Sequence, residues 1–148
     1  MKYNKWPKRD PIKNYFPLPN EVFSLGLTTG EIAVYTYLMY CEDRDTWQCW
    51  PSYKTIGRAV GMSKKTVQKY VEMLVDKGLI LTERTDIYTK EGLKLNGNLR
   101  YTIRPIHEAV QIFREKQMQK IEEENVRARM AMLAAEQNNS FRWEEEGA

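Results

Sequence analysis

Apolar residues return every three or four positions in several stretches of this chain and alternate with polar ones in two others. In "LTTGEIAVYTYLMY", Ile32, Tyr35, Leu38 and Met39 share one helical face. Thr28 and Glu31 stand three apart ahead of them, the spacing of a capping box, so a first helix is expected from there to about Cys41. The polar "EDRDTWQCW" reads as a loop, after which Pro51 and Ser52 open a short second helix over about Tyr53 to Val60. Gly61 ends it, because a left-handed turn residue costs least as glycine. Ser63 then caps a third helix that runs to about Lys77 and stops at Gly78, with Val67, Val71 and Leu74 spaced i, i+4, i+7 on its inward face.

Beyond Gly78 the period changes. "LILTERT" and "LRYTIRP" alternate and are rich in β-branched residues, which predicts two strands; "DIYTKEGLKLNGN" between them is full of turn formers, and Pro105 closes the second. The expected element is a hairpin with a long tip. From Ile106 to about Asn138 no proline or glycine interrupts a run of good helix formers, enough for a helix of roughly 50 Å at ~1.5 Å per residue. "NNSFRWEEEGA" is expected to fray, and residues 1 to 20, with four of the six prolines and five basic side chains, to form an extended arm.

The predicted class is therefore mainly α with a small β-hairpin wing, a winged helix-turn-helix followed by a long C-terminal helix. The organisation is an arm at 1–20, a binding domain at 21–104, a helix at 105–138 for packing or oligomerisation, and a tail at 139–148. Local spacing supports the class independently. A helix-turn-helix needs a small residue where two helices cross, a glycine four positions on for the turn, and a β-branched residue six further on to lock the next helix to the core. Gly57, Gly61 and Val67 have those separations.

Composition narrows the chemistry. The 148 residues are 42% hydrophobic and 29% charged, which fits a soluble globular protein. No apolar stretch is long enough to span a membrane or act as a secretory signal, so a cytoplasmic location is expected. Cys41, Cys49 and the single His107 cannot supply four zinc ligands, free thiols are expected over a disulfide, and His107 is expected at the surface. With no phosphate-binding glycine loop and no nucleophile near that histidine in sequence, neither an enzyme nor a cofactor is expected.

Charge adds the decisive asymmetry. Residues 1–104 carry a net +6 and residues 105–148 a net −3. Residues 46–71 hold Lys54, Arg58, Lys64, Lys65 and Lys69 with no acid among them, the footprint of a surface that meets phosphate.

The stretch "WPSYKTIGRAVGMSKKTVQKYVEMLVDKGLI" resembles a bacterial helix-turn-helix family whose pattern runs aromatic-Pro-Ser, Ile/Leu-small, Gly-x-Ser-x-x-Thr-Val and Leu-x-x-x-Gly-Leu/Ile. The resemblance reaches back through "YFPLPNEVFSLGLTTGEIAVYTYL" and covers roughly residues 15–104; Gly57 departs from it, alanine being usual there. It implies duplex DNA binding, as in transcription regulators and in replication and conjugation proteins of plasmids and phages.

On this reading Ser63 and the first turn of the third helix offer amides to a phosphate, and Lys64, Lys65, Thr66, Gln68 and Lys69 enter the major groove. Gln68 suits adenine N6 and N7, and lysine suits guanine O6 or N7. Ser52, Tyr53, Lys54 and Arg58 position the backbone, while Lys90, Lys94 and Arg100 of the wing reach flanking phosphates or the minor groove. Trp47, Trp50 and Tyr53 are read as core before base-stacking groups. The function expected is sequence-specific double-stranded DNA binding by a transcriptional regulator or replication-associated protein of a mobile element. The alternatives are a replication initiator or conjugation accessory protein on origin repeats, and a winged-helix protein-interaction module. In the last helix Ile106, Val110 and Phe113 are expected to pack on the domain. Met118, Ile121, Asn125, Ala128, Met132 and Ala135 alternate by three and four, which suggests a homodimer through residues 118–135.

Overall fold

Thr28 and Glu31 do close the expected capping box. The Thr28 amide and its Oγ1 hydroxyl both donate to Glu31 Oε2, at 2.6 and 2.9 Å, and α1 runs Thr29–Cys41. The computed structural model describes residues 15–147, so the basic arm lies outside it apart from residues 15–20. A 3-10 turn, Asn20–Ser24, precedes α1. The helix buries Glu31, Val34, Tyr35 and Leu38, spaced i, i+3, i+4, i+7, whereas Ile32 and Met39 are only half-buried. The inward face is thus turned from the one expected, because its first position is a glutamate and an apolar count passes over it.

Ser52 caps α2 (Tyr53–Val60), accepting from the Thr55 amide at 3.1 Å, and Gly61 ends it at φ 73°. Ser63 caps α3 (Lys64–Asp76) in the same way through the Thr66 amide at 3.3 Å. Val67, Val71 and Leu74 of α3 are buried as the spacing required, together with Ile56 of α2. Gly57 is where the two helices meet: a Cβ there would lie 2.3 Å from the Met62 carbonyl oxygen. Gly30 plays the matching part between α1 and α3, since a Cβ on it would stand 2.2 Å from the Tyr70 ring.

The hairpin is built on β2 (Ile80–Glu83) and β5 (Arg100–Ile103), paired antiparallel with Ile80 opposite Ile103 and Glu83 opposite Arg100. Two features correct the expected picture. The polar segment after α1 is not all loop: Gln48–Cys49 forms β1, which pairs with β5 and makes the sheet three-stranded in the order β1-β5-β2. A two-residue strand is too short to show alternation. Its approach is a tight turn in which the Trp47 amide donates to the Asp43 carbonyl at 2.7 Å, with Trp47 at φ 59°. The long tip is itself a ribbon, β3 (Asp86–Tyr88) against β4 (Lys94–Asn96), closed by a turn with Gly92 at φ 82°. Turn-forming residues there mark the ends of short strands.

The described residues divide into two compact units, one ending at Val110 and the other beginning at Gln111. The core of the first comprises Val34, Tyr35, Leu38, Ile56, Val67, Val71, Leu74, Leu79, Ile80 and Tyr101. The helix α4, Ile106–Glu146, begins in the first unit and supplies nearly all of the second. Its 41 residues correspond to about 60 Å. It runs past Asn138, where fraying was expected, through "NNSFRWEEE". In its first turns Ala109 is the buried residue, and Ile106 and Val110 are half-buried.

Candidate nucleic-acid interface

Two successive caps place the basic side chains. Ser52 and Thr55 share a 2.9 Å hydroxyl contact at the start of α2, and Ser63 and Thr66 repeat it at the start of α3. Ser63 Oγ is therefore committed to its own helix, and so is the Thr66 hydroxyl. What the α3 start leaves for an anion is its first amides, which have no intrahelical acceptor.

With Val67 and Val71 turned inward, Lys64, Lys65, Gln68 and Lys69 are exposed, and Thr66 is half-buried. On α2 Lys54 and Arg58 are exposed, whereas Ser52 and Tyr53 are half-buried. Burial and the nearby charge of Glu72 push the Tyr53 phenol up. Gln68 Nε2 donates to Glu72 Oε1 at 3.3 Å, so the amide expected to read adenine is held by a neighbour one turn on. Glu72 lies one residue outside the acid-free stretch, so that stretch gives no sign of it. Lys69 Nζ stands 5.5 Å from the centre of the Tyr70 ring.

Four cations elsewhere in the domain are paired. Lys77 meets Glu31 at 2.7 Å, Lys94 meets Asp86 at 3.3 Å, Arg104 meets Glu108 at 2.8 Å, and Arg100 pairs with Glu83. Two of the three basic residues expected on the wing, Lys94 and Arg100, are thus engaged within the wing, and Lys90 is exposed near its tip. By contrast, among the described residues none of Lys54, Arg58, Lys64, Lys65 and Lys69 forms an ion pair within the chain. These five cations lie on two adjoining helices. The wing also carries an unexpected feature. Ile87, Leu93 and Leu95 are all more than half exposed, and Ile87 faces Leu95 across the ribbon.

The Lys77–Glu31 pair holds the far end of α3. Glu31 is wholly buried, and Lys77 Nζ reaches both of its carboxylate oxygens and the Gly26 carbonyl. Burial by itself would raise the Glu31 carboxyl, but Lys77 and the Thr28 amide and hydroxyl outweigh it and hold the group below its ordinary value. The local spacing marks Glu31 only as a cap; its second partner is 46 residues away and leaves no local signal. Cys41 and Cys49 are free thiols, and burial pushes that of Cys49 up to about 12. Trp47 and Trp50, expected in the core, are each about half exposed. Among the described residues no helix is long and apolar enough to cross a membrane.

A capped helix, a glycine turn, a second capped helix and a hairpin define a winged helix-turn-helix, the class of module that lays its second helix in the major groove of duplex DNA. Residues 25–80 match the family model described as a helix-turn-helix domain. Among solved structures the chain is similar to a possible transcriptional regulator from Methanosarcina mazei Go1 at 19% identity and TM-score 0.45, over 69% of this chain and 79% of that one. It is also similar to a MarR family transcription regulator at 21% identity and TM-score 0.40, over 68% of this chain and 58% of that one. A third is a probable transcriptional regulator from Pseudomonas aeruginosa, at 23% identity and TM-score 0.36, over 76% and 84%. No curated protein sequence matches the chain.

Proposed function

We propose that this protein binds double-stranded DNA sequence-specifically and acts as a transcriptional regulator, with α3 in the major groove. The observation that carries the reading is the set of five unpaired cations on α2 and α3, in a domain that pairs Lys77, Lys94, Arg100 and Arg104 internally. Unpaired cations on one surface release condensed counterions when they meet phosphate, which is a gain that paired ones forgo. Lys64, Lys65, Gln68 and Lys69 read base edges; Gln68 does so after exchanging Glu72 for adenine. Lys54 and Arg58 hold the backbone, with Ser52 and Tyr53 shaping the start of α2, and Lys90 reaches flanking DNA. Replication-origin binding uses the same surface and differs only in how its sites are arranged.

The test is salt-dependent binding to duplexes selected from a random pool. Affinity should fall steeply with salt, and Lys64→Glu with Lys69→Glu should abolish binding. If that variant keeps the affinity and salt slope of the wild type, α3 is not the reading helix. Selected palindromes favour a regulator; tandem repeats favour an origin binder.

A further inference from the structure

From Arg114 to Gly147 every residue is exposed, so nothing within the described chain covers the outer turns of α4. Exposed helices of this length are ordinarily polar all round, and this one is not. Met118, Ile121 and Met132 are each more than half exposed and, with Asn125, Ala128 and Ala135, form a stripe that alternates by three and four. Val126, Met130 and Leu133 lie along another side, but one and two turns earlier that side carries Glu122, Glu123 and Gln119, so it is apolar for eight residues only. The first stripe lasts eighteen residues, until Asn139 and Arg142 end it.

We infer that residues 118–135 pair with the same residues of a second copy of this chain as a parallel, in-register two-stranded coil. Asn125 decides the direction. In a heptad frame Met118, Asn125 and Met132 occupy the first core position and Ile121, Ala128 and Ala135 the second. In the parallel register Asn125 meets Asn125 of the second copy, and an amide both donates and accepts, so the two satisfy each other. In the antiparallel register that sets Met118 against Ala135 and Ile121 against Met132, Asn125 faces Ala128 and its amide is buried without a partner. Flanking charge agrees with the parallel choice. Glu124 precedes the Asn125 layer and Arg129 follows the Ala128 layer, five residues on. This is the separation at which flanking side chains cross between parallel helices. Among the described residues neither forms an ion pair within its own chain. The two alanine layers bury little area, so pairing is concentration-dependent.

The inference concerns α4 alone, and its consequence rests on the DNA reading above. A parallel pair brings the two N-terminal ends of the coil together, as two α3 helices on half-sites about 34 Å apart require. Sedimentation equilibrium on the full chain, across a concentration series, should approach twice 17.5 kDa. Ile121→Glu should hold it at the single-chain mass, while Met130→Glu, on the other side, leaves the dimer unchanged; circular dichroism confirms that both fold. Arg129→Glu should loosen pairing several-fold, and adding Glu124→Arg should restore it. Under mild oxidation Met118→Cys should cross-link into a dimer that the wild type does not form. A single-chain mass at every concentration overturns the inference, as does monomerisation by Met130→Glu but not Ile121→Glu. Cross-linking only in mixtures of Met118→Cys and Ala135→Cys chains overturns the parallel direction. The Lys64→Glu, Lys69→Glu variant should remain dimeric, so failure of the DNA reading and failure of the pairing are seen separately.

Discussion

Both α3 and α4 carry an apolar stripe at helical spacing, and they resolve it in opposite ways. In α3 the stripe of Val67, Val71 and Leu74 closes against Ile56 and the rest of the core within one chain. In α4 the stripe from Met118 to Ala135 is left uncovered by the described part of its own chain. An amphipathic pattern therefore identifies a helix and the side it would bury, while the surrounding chain decides whether that side is buried. The two helices also differ in what secures them. Ser63 caps one end of α3, and the Glu31–Lys77 pair holds the other; the outer turns of α4 rely on the intrinsic preference of Glu, Lys, Arg, Met and Ala.

The sharpest way to break this comparison is to make the same deletion in each helix. Leu74→Ala should destabilise the domain by about 2–5 kcal/mol, because it opens a cavity among immobile neighbours. Leu133→Ala removes the same atoms from an exposed site and should shift stability by less than about 0.5 kcal/mol. Urea titrations of the two variants check this, and equal midpoints would erase the distinction.

A smaller effect probes the end of α3. Lys77→Met leaves the Glu31 carboxylate buried without its cation, which should cost about 2–3 kcal/mol, below the cost for a fully buried pair because Lys77 keeps 29% of its side chain exposed. The pH dependence fixes the sign. Glu31 titrates below its ordinary 4.5 in the folded chain, so its contribution is complete above that value and is lost as pH falls through the lower folded value. In Lys77→Met burial is less opposed and raises the carboxyl, so acid unfolding should begin at a higher pH. An unchanged acid limb would show that the pair does not support the fold.

The smallest effect tests the crossing of α2 and α3. Gly57→Ala gains helix propensity, about 1 kcal/mol, but its methyl would meet the Met62 carbonyl oxygen. Backbone must shift, so we expect net destabilisation of about 1–2 kcal/mol. A rise in melting temperature would mean that the turn yields easily and that glycine is not required there.

Much of this was legible from local signals. The caps at Thr28, Ser52 and Ser63, the stops at Gly61 and Gly78, and the buried trio on α3 each depend on residues within one or two turns, and so left a mark in the sequence. The misses share a different cause. The two-residue β1 exists because β5 lies beside it, and its partner Tyr101 is 52 positions from Cys49. The α1 face was misplaced because its first position is Glu31, acceptable there only because Lys77 arrives from another helix. At the candidate interface the types and positions of the basic residues could be read directly. Which of them stay unpaired could not, since the partners of Lys94 and Arg100 become neighbours only when the strands β3 and β4, and β2 and β5, pair.

The sequence by itself determined where helices start and stop, which residues of α3 turn inward, and that a glycine-turned helix pair with five cations precedes a hairpin. These follow from capping, periodicity and backbone sterics, which act over a few residues. Only the tertiary structure decided that Glu31 is buried on Lys77, that Lys94 and Arg100 each pair with an acid on the neighbouring strand while the cations of α2 and α3 form no ion pair among the described residues, and that the sheet has a third strand. Those outcomes depend on desolvation and on contacts between distant segments, whose free energies do not exist until the chain has folded.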